Sequence, residues 1–148
     1  MSVFSHIMAG EIPASWVYQD EFCVAFMDIN PMSPGHVLVV PRLEVATLEE
    51  LPRELRAHLM DVTVRVAAAQ RKGLGSLAQH MLVNDGKAAS QTVPHVHFHV
   101  VPRYGRDQLV TMGRMLWHVA TLMWPMPVSA NKRARLETQA EQIKKALA

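Results

Sequence analysis

Histidine alternates with an apolar residue at His95, Val96, His97, Phe98 and His99, and Val100 and Val101 follow. Side chains at i, i+2 and i+4 of a β-strand share one face. The spacing therefore predicts a half-buried strand over residues 95–101. It sets three imidazoles on a wet face and sends Val96, Phe98 and Val100 into a core. Imidazole suits nucleophilic and proton-transfer work near neutral pH. Three readings stand: solvated histidines with no task, a metal site, or catalysis with one ring as nucleophile and its neighbours in support. One ion cannot readily take all three rings. Positions i and i+4 lie ~13 Å apart on a flat strand at ~3.3 Å per residue, whereas Zn–N bonds are about 2 Å. A two-histidine metal site completed from elsewhere stays open.

The flanking residues favour catalysis. Residues 84–94 (Asn84-Asp85-Gly86-Lys87-Ala88-Ala89-Ser90-Gln91-Thr92-Val93-Pro94) are small and polar and run straight into the histidines. Such a loop can offer N–H groups, amides and hydroxyls to a phosphate. Downstream, Pro102-Arg103-Tyr104-Gly105-Arg106 closes the strand with a turn and two cations.

The stretch Gln91-Thr92-Val93-Pro94-His95-Val96-His97-Phe98-His99-Val100-Val101 resembles the signature of the histidine triad family of nucleotide hydrolases and transferases. Two further blocks agree with it, residues 4–14 (FSHIMAGEIPA) and residues 26–41 (FMDINPMSPGHVLVVP). The resemblance spans about residues 4–106, roughly two-thirds of the chain. It implies hydrolysis at the α-phosphate of a purine nucleotide derivative through a nucleotidyl-histidine intermediate. His97, the middle histidine, is the expected nucleophile. His95 and His99 flank it, where they are expected to bond the phosphate oxygens and the departing group. His36 supports them from a neighbouring strand. Asn84, Gln91 and Thr92 match residues that contact phosphate or leaving group, and Asp28 matches the acid on the ribose hydroxyls. One branch of the family cleaves nucleoside phosphoramidates and another dinucleoside polyphosphates. Val101-Pro102-Arg103 resembles the second branch, and the short N-terminal block resembles the first. The alternative in another class is a low-turnover nucleotide-binding regulator or scaffold, against which an intact His97 argues.

Two departures carry expectations. Some relatives hold a structural zinc with two N-terminal cysteines, a histidine after the Pro41-Arg42 position, and the first triad histidine. Ser5, Met8 and Glu44 are matched to those positions here, and of the four ligands only His95 remains. No metal and no other cofactor is expected. Ser90 stands where the family usually has glycine, which bears on how closely the backbone approaches the phosphate.

The elements that must hold these residues follow from patterning. A short helix is expected near residues 4–8. A hairpin is expected from residues 16–18 and 22–28 around Gln19-Asp20-Glu21, then a strand over residues 36–40 stopped by Pro41. Leu55, Leu59, Val62, Val66 and Ala69 recur at helical spacing and predict a long helix ending near Gly73. Strands at residues 79–83 and 95–101 complete the set. Short links between strands argue for an α+β domain. The resemblance specifies a five-stranded antiparallel sheet with one long and one or two shorter helices.

Residues 1–110 form the expected triad domain. Residues 111–148 are read as a C-terminal extension packed on the same domain or across a dimer, in a single domain overall. Residues 107–128 are rich in Met and Trp (Met112, Met115, Trp117, Met123, Trp124, Met126), a composition also compatible with a partner surface. Residues 131–148 read as a helix whose mixed charges suit a solvated face. The chain has 148 residues, 49% hydrophobic, which suits one core without staples. Its formal charge of +2 gives no support to nucleic acid as a partner. No signal peptide or membrane span is expected. Cys23, the one cysteine, excludes an internal disulfide and suits the cytoplasm. An unpaired sheet edge, the long helix and the family likeness together predict a homodimer.

Overall fold

In the computed structural model, which describes residues 1–105, 108–121 and 127–148, five strands form one antiparallel sheet with a helix layer on each face. The order along the chain is α1 (Val3–Met8), β1 (Trp16–Gln19), β2 (Cys23–Met27), β3 (Val37–Pro41), α2 (Arg53–Leu74), β4 (Ala78–Val83), β5 (Phe98–Arg103), α3 (Gln108–Thr121) and α4 (Ala130–Leu147). The strands lie in the order β1-β2-β3-β5-β4, so β1 and β4 are the edges and β5 is inserted beside β3. The expected α+β class and sheet are present.

Period-two patterning decides what each face buries. Val37 and Val39 of β3, Phe98 and Val100 of β5, and Ala25 and Met27 of β2 meet Leu59, Val62, Val66 and Ala69 of α2 in the main core. The opposite face carries a smaller cluster, in which Phe4 and Ile7 of α1 cover Val24, Phe26, Leu38 and Val40. The histidines lie on this second face.

Two sequence expectations change. The strand at the triad is shorter than expected: β5 begins at Phe98, and His95 to His97 precede it. Pairing with β3 runs Val37↔Val100, Leu38↔His99, Val39↔Phe98 and stops there. Pro41, further along β3, has no N–H to give to a ladder, and its carbonyl is taken by the His95 ring instead. The helix expected to end near Gly73 does so, at Leu74, and Gly75 caps it in the left-handed region at φ 72°. Gly73 serves packing: a Cβ there would lie 2.5 Å from the Gln142 carbonyl oxygen of α4.

The second change concerns α4, which is more than a solvated helix. Leu136, Ala140 and Ile143 form a stripe at helical spacing, buried in the main core with α2, while Arg135, Glu137, Glu141, Lys144 and Lys145 face outward. Ser129 caps its N-terminus, its hydroxyl accepting from Lys132 N–H. Ser15, next to β1, donates to Glu137 at 2.6 Å. Met123, Trp124 and Met126 of the expected partner tract, like Arg106, lie outside the described residues. Of the rest of that tract, Leu109, Val110, Met112, Leu116 and Trp117 on α3 are exposed.

Candidate active site

The site is built where the stretch entering β5 crosses the ends of β3 and α1. His36, His95, His97, His99 and Asp28 are all buried there. The three triad rings do share one face, as the alternation predicted, with Val96, Phe98 and Val100 opposite in the core. That face is not wet. The Phe4 ring of α1 stands edge-on against His97 and His95, with centroids 4.9 and 5.7 Å away. An aromatic lid on imidazoles follows from α1 closing over the sheet, which alternation within one strand cannot show.

Each ring's tautomer follows from partners that can only donate or only accept. Hydrogens are assigned on that basis. A carbonyl only accepts, so His97 Nδ1 carries a proton and donates it to the His95 carbonyl at 2.8 Å. The lone pair of neutral His97 is then on Nε2. Burial holds the His97 pKa below its ordinary value; the His95 carbonyl bond and the Asp28 charge oppose this without reversing it.

His95 is fully committed. Its Nε2 donates to the Pro41 carbonyl at 2.8 Å. Its Nδ1 therefore accepts, and the Ser2 hydroxyl donates to it at 2.7 Å. Burial depresses its pKa as well, against the Pro41 bond and Glu44. In this arrangement the expected phosphate contact from His95 has no ring nitrogen left to make it.

His36 and His99 form a relay. The Met32 backbone N–H, a pure donor, points at His36 Nδ1 at 3.1 Å. The His36 proton is thus on Nε2, which donates to His99 Nδ1 at 3.0 Å and lies 3.5 Å from Asp28 Oδ2. Neutral His99 then carries its own proton on Nε2. Its ring sits edge-on to His97 at 4.9 Å. Asp28 also accepts from Asn30 N–H at 2.8 Å, which fixes the turn after β2. The same three side chains, Asp28, His36 and His99, stand close enough to share a cation. The Met32 bond already occupies one His36 nitrogen, and the other faces His99.

The 84–92 loop runs into the triad, but none of its described hydrogen bonds reaches a histidine. The Gln91 amide ties the loop to the segment after β3: it accepts from Gly86 N–H at 2.9 Å and donates to the Ala46 carbonyl at 2.7 Å. Asn84 makes only a long contact, 3.5 Å, with the Ser90 carbonyl. Thr92 is exposed. Ser90 has φ 65° and is the one non-glycine in the left-handed region among the described residues. That conformation accounts for glycine being usual at this position.

The residues matched to the zinc ligands need correction. Met8 packs beside the apolar cluster under α1, and Ser2 takes the place assigned to it. The Ser5 hydroxyl donates to Glu44, Ser5 N–H donates to Ser2 Oγ at 3.2 Å, and Ser2 donates to His95. Structural zinc sites are built from thiolate and imidazole. Two hydroxyls and a histidine with both nitrogens bonded do not suit that ion. Sequence reasoning missed Ser2, Phe4, the Pro41 carbonyl and the Met32 N–H. Ser2 had a readable signal as a helix N-cap, but nothing in the sequence ties it to a residue 93 positions away.

Comparison with known proteins places the chain in a class. Residues 9–106 match the model of the HIT domain. The chain is 40% identical over 107 residues to adenylylsulfatase HINT3 of Arabidopsis thaliana, covering 72% of this chain and 54% of that protein. It is 35% identical over 106 residues to adenosine 5′-monophosphoramidase HNT1 of Saccharomyces cerevisiae, covering 72% of this chain and 63% of that one. The chain thus spans little more than half the length of the first of these relatives and under two-thirds of the second. A crystal structure of a Zn-bound histidine triad family protein from Mycobacterium smegmatis superposes with a TM-score of 0.77 at 34% identity, over 98% of this chain and 91% of that one. The chain belongs to the histidine triad family.

Proposed function

We propose that the protein is a nucleotide hydrolase that cleaves the α-phosphate linkage of a purine nucleotide derivative through a nucleotidyl-His97 intermediate. One observation carries the reading: the His95 carbonyl holds the His97 proton on Nδ1 and leaves the Nε2 lone pair for phosphorus. His97 Nε2 forms a bond to the α-phosphorus while the bond from phosphorus to the leaving nitrogen or oxygen breaks. The leaving atom accepts a hydrogen bond from His99 Nε2–H and takes its proton from solvent. The imidazolium created on His97 keeps its Nδ1–H on the His95 carbonyl. Water then attacks phosphorus and its proton returns to solvent. The N–P bond breaks, and nucleoside monophosphate leaves. His36, held by Met32 N–H and facing Asp28, fixes His99 in the donating tautomer. Asp28 is assigned the ribose hydroxyls, and the 84–92 loop, with Asn84, Gln91 and Thr92, the phosphates or leaving group.

Two relatives bear names of activities at a nucleotide 5′-phosphate, an adenylylsulfatase and an adenosine 5′-monophosphoramidase. Both linkages join an α-phosphate to a good leaving group, as in a dinucleoside polyphosphate. The test is turnover of adenosine 5′-phosphoramidate, adenylylsulfate and a dinucleoside polyphosphate, with His97→Ala as control. A loss of ~10³-fold or more in kcat with nucleotide binding retained is expected for a nucleophile. Wild-type kcat in that variant overturns the mechanism. Tight nucleotide binding without turnover of any of the three selects the regulatory alternative.

A homodimer is part of the same proposal. β4 is an open sheet edge with Leu77 and Met81 exposed beside it, and α2 presents Met60 and Val64 to solvent. The buried, unpaired Cys23 thiol suits a cytoplasmic setting. Among the described residues no helix is long and apolar enough to cross a membrane.

A further inference from the structure

The His95 carbonyl decides where the His97 lone pair lies, so whatever fixes residue 95 governs the nucleophile. Two bonds fix its ring from opposite sides. Pro41 O holds Nε2 at the end of β3, and Ser2 Oγ holds Nδ1 at the start of α1. The backbone here is held outside the sheet ladder, by His95 N–H on the Val93 carbonyl at 2.8 Å and Val96 N–H on the Val45 carbonyl at 2.9 Å, and β5 begins only at Phe98. The ring is fully buried, so without Ser2 the lone pair on Nδ1 would be left unsatisfied. Ser2 is anchored in turn. It caps α1 by accepting from Ser5 N–H at 3.2 Å, and Ser5 is tied through its hydroxyl to Glu44 on the loop after β3. Serine–serine and serine–glutamate contacts thus bridge α1 and the β3–α2 loop at the place where a metal would need soft donors.

We propose that Ser2 is a positioning residue: its hydroxyl, braced by Ser5 and Glu44, forms a metal-independent strut that locks the His95 ring and so holds the His95 carbonyl on His97 Nδ1. This rests on His97 being the nucleophile. The strut touches no substrate and acts only through His95. Removing it frees the ring and leaves the carbonyl to the single Val96 N–H bond of its own peptide plane; the carbonyl then drifts, and the His97 proton is no longer confined to one nitrogen. Misplacement of a reacting group by about 1 Å costs on the order of 100-fold. The loss is therefore expected in kcat, at an unchanged KM.

The test compares wild type, Ser2→Ala and Ser2→Thr by ¹⁵N NMR of the histidine rings and by turnover of adenosine 5′-phosphoramidate. Wild type should show His95 protonated on Nε2 and His97 on Nδ1. In Ser2→Ala, His97 should become a mixture of tautomers, with kcat down on the order of 10- to 100-fold and KM within about twofold of wild type. Ser2→Thr, which keeps the hydroxyl, should restore both. One equivalent of zinc should leave the wild-type His95 signals unmoved. Wild-type tautomers and kcat in Ser2→Ala overturn the strut, as does zinc displacing the Ser2 bond. If Ser2→Ala does not fold, Ser5→Ala carries the test with the same signature at His97, and a wild-type signature there overturns it equally. The ring spectra are independent of turnover. Failure of the nucleophile assignment appears as retained kcat in His97→Ala, and failure of the strut as unchanged tautomers in Ser2→Ala.

Discussion

At the scale of single residues, environment sets the proton on each ring, and pH should reveal it. The proposed attack requires neutral His97, and burial keeps its pKa below the ordinary 6.5. The kcat/KM of wild type should therefore stay level as pH falls through about 6.5 and decline only in more acidic solution. A midpoint above 6.5 would contradict the burial argument. Stability, by contrast, already changes over that range. In the unfolded chain His95 and His97 take up protons near 6.5, whereas in the folded chain both are held lower. The unfolded state then binds more protons, so stability is lost as pH falls from about 6.5 toward the folded values. Urea midpoints at about pH 7 and pH 5 check the sign. Ser90 offers a cleaner case. A left-handed serine is strained by roughly 1 kcal/mol, so Ser90→Gly should raise the urea midpoint, less whatever the extra freedom of glycine costs in the unfolded chain. A lowered midpoint together with unchanged turnover would show the strain to be absent. The triad was legible in the sequence because type and spacing are local. The commitment of His95 was not, because Ser2 and Pro41 reach it through folding.

At the scale of elements, strands were legible where turn residues bracket a period-two run, and their ends were lost where side chains replace the ladder. The hairpin of β1 and β2 shows the first case. Asp20 accepts from Phe22 N–H and Cys23 N–H at 2.8 and 2.7 Å, from Tyr18 Oη at 2.7 Å, and from His58 Nε2 at 2.6 Å. Burial pushes its carboxyl up, but these bonds outweigh it and hold the group well below the usual range. The stability it adds is present above about pH 4 and is lost as pH falls through the lowered pKa. Asp20→Ala should cost about 1–3 kcal/mol by chemical denaturation, since it strands two turn N–H groups. A change below about 0.5 kcal/mol would mean that water replaces the carboxylate. The neighbouring Cys23 thiol is pushed up to about 12, first by burial and then by Asp20, so it is a core group and not a nucleophile. The entry to β5, where the His95 ring takes the Pro41 carbonyl, is the second case; α4 was hidden for a different reason. Its charges masked the short Leu136-Ala140-Ile143 stripe, because three apolar positions among many polar ones give little periodicity. They pack into the main core with α2, and Gly73 of α2 lets the Gln142 backbone and Ala146 of α4 come close, which no local pattern in α4 contains. Gly73→Ala should separate α2 from α4 and destabilise by about 1–3 kcal/mol. A stable Gly73→Ala protein with an unaltered melting temperature would show that α4 can shift outward without loss.

At the scale of the whole molecule, what the fold leaves uncovered is as informative as what it buries. The two sheet edges differ. β1 is flanked by α4, which sends Glu137 to Ser15 beside it, whereas β4 ends the sheet on the other side with Leu77 and Met81 exposed. An open edge with apolar side chains invites pairing. On α2, Met60 and Val64 lie one turn apart on a face that the main core does not use. The proposed second copy would answer both features, because a two-fold axis brings each patch against its own equivalent. Light scattering at micromolar concentration should then give a mass near twice the chain's 16.6 kDa. Val64→Glu should halve that mass, since the axis sets two like charges face to face in an apolar contact. A monomeric wild type removes the dimer outright. A dimeric Val64→Glu protein moves the interface away from α2 and leaves the β4 edge to be tested by a proline at Met81, where the ladder needs an N–H. Helix α3 separates a further question. Leu109, Leu116 and Trp117 are exposed on it, and a dimer that covers them would bring this tract toward the partner's site. Trp117→Ala should then change the preference between phosphoramidate and polyphosphate substrates while leaving the mass of the dimer unchanged. Equal effects on both substrates would confine α3 to assembly and leave the choice of leaving group to the 84–92 loop.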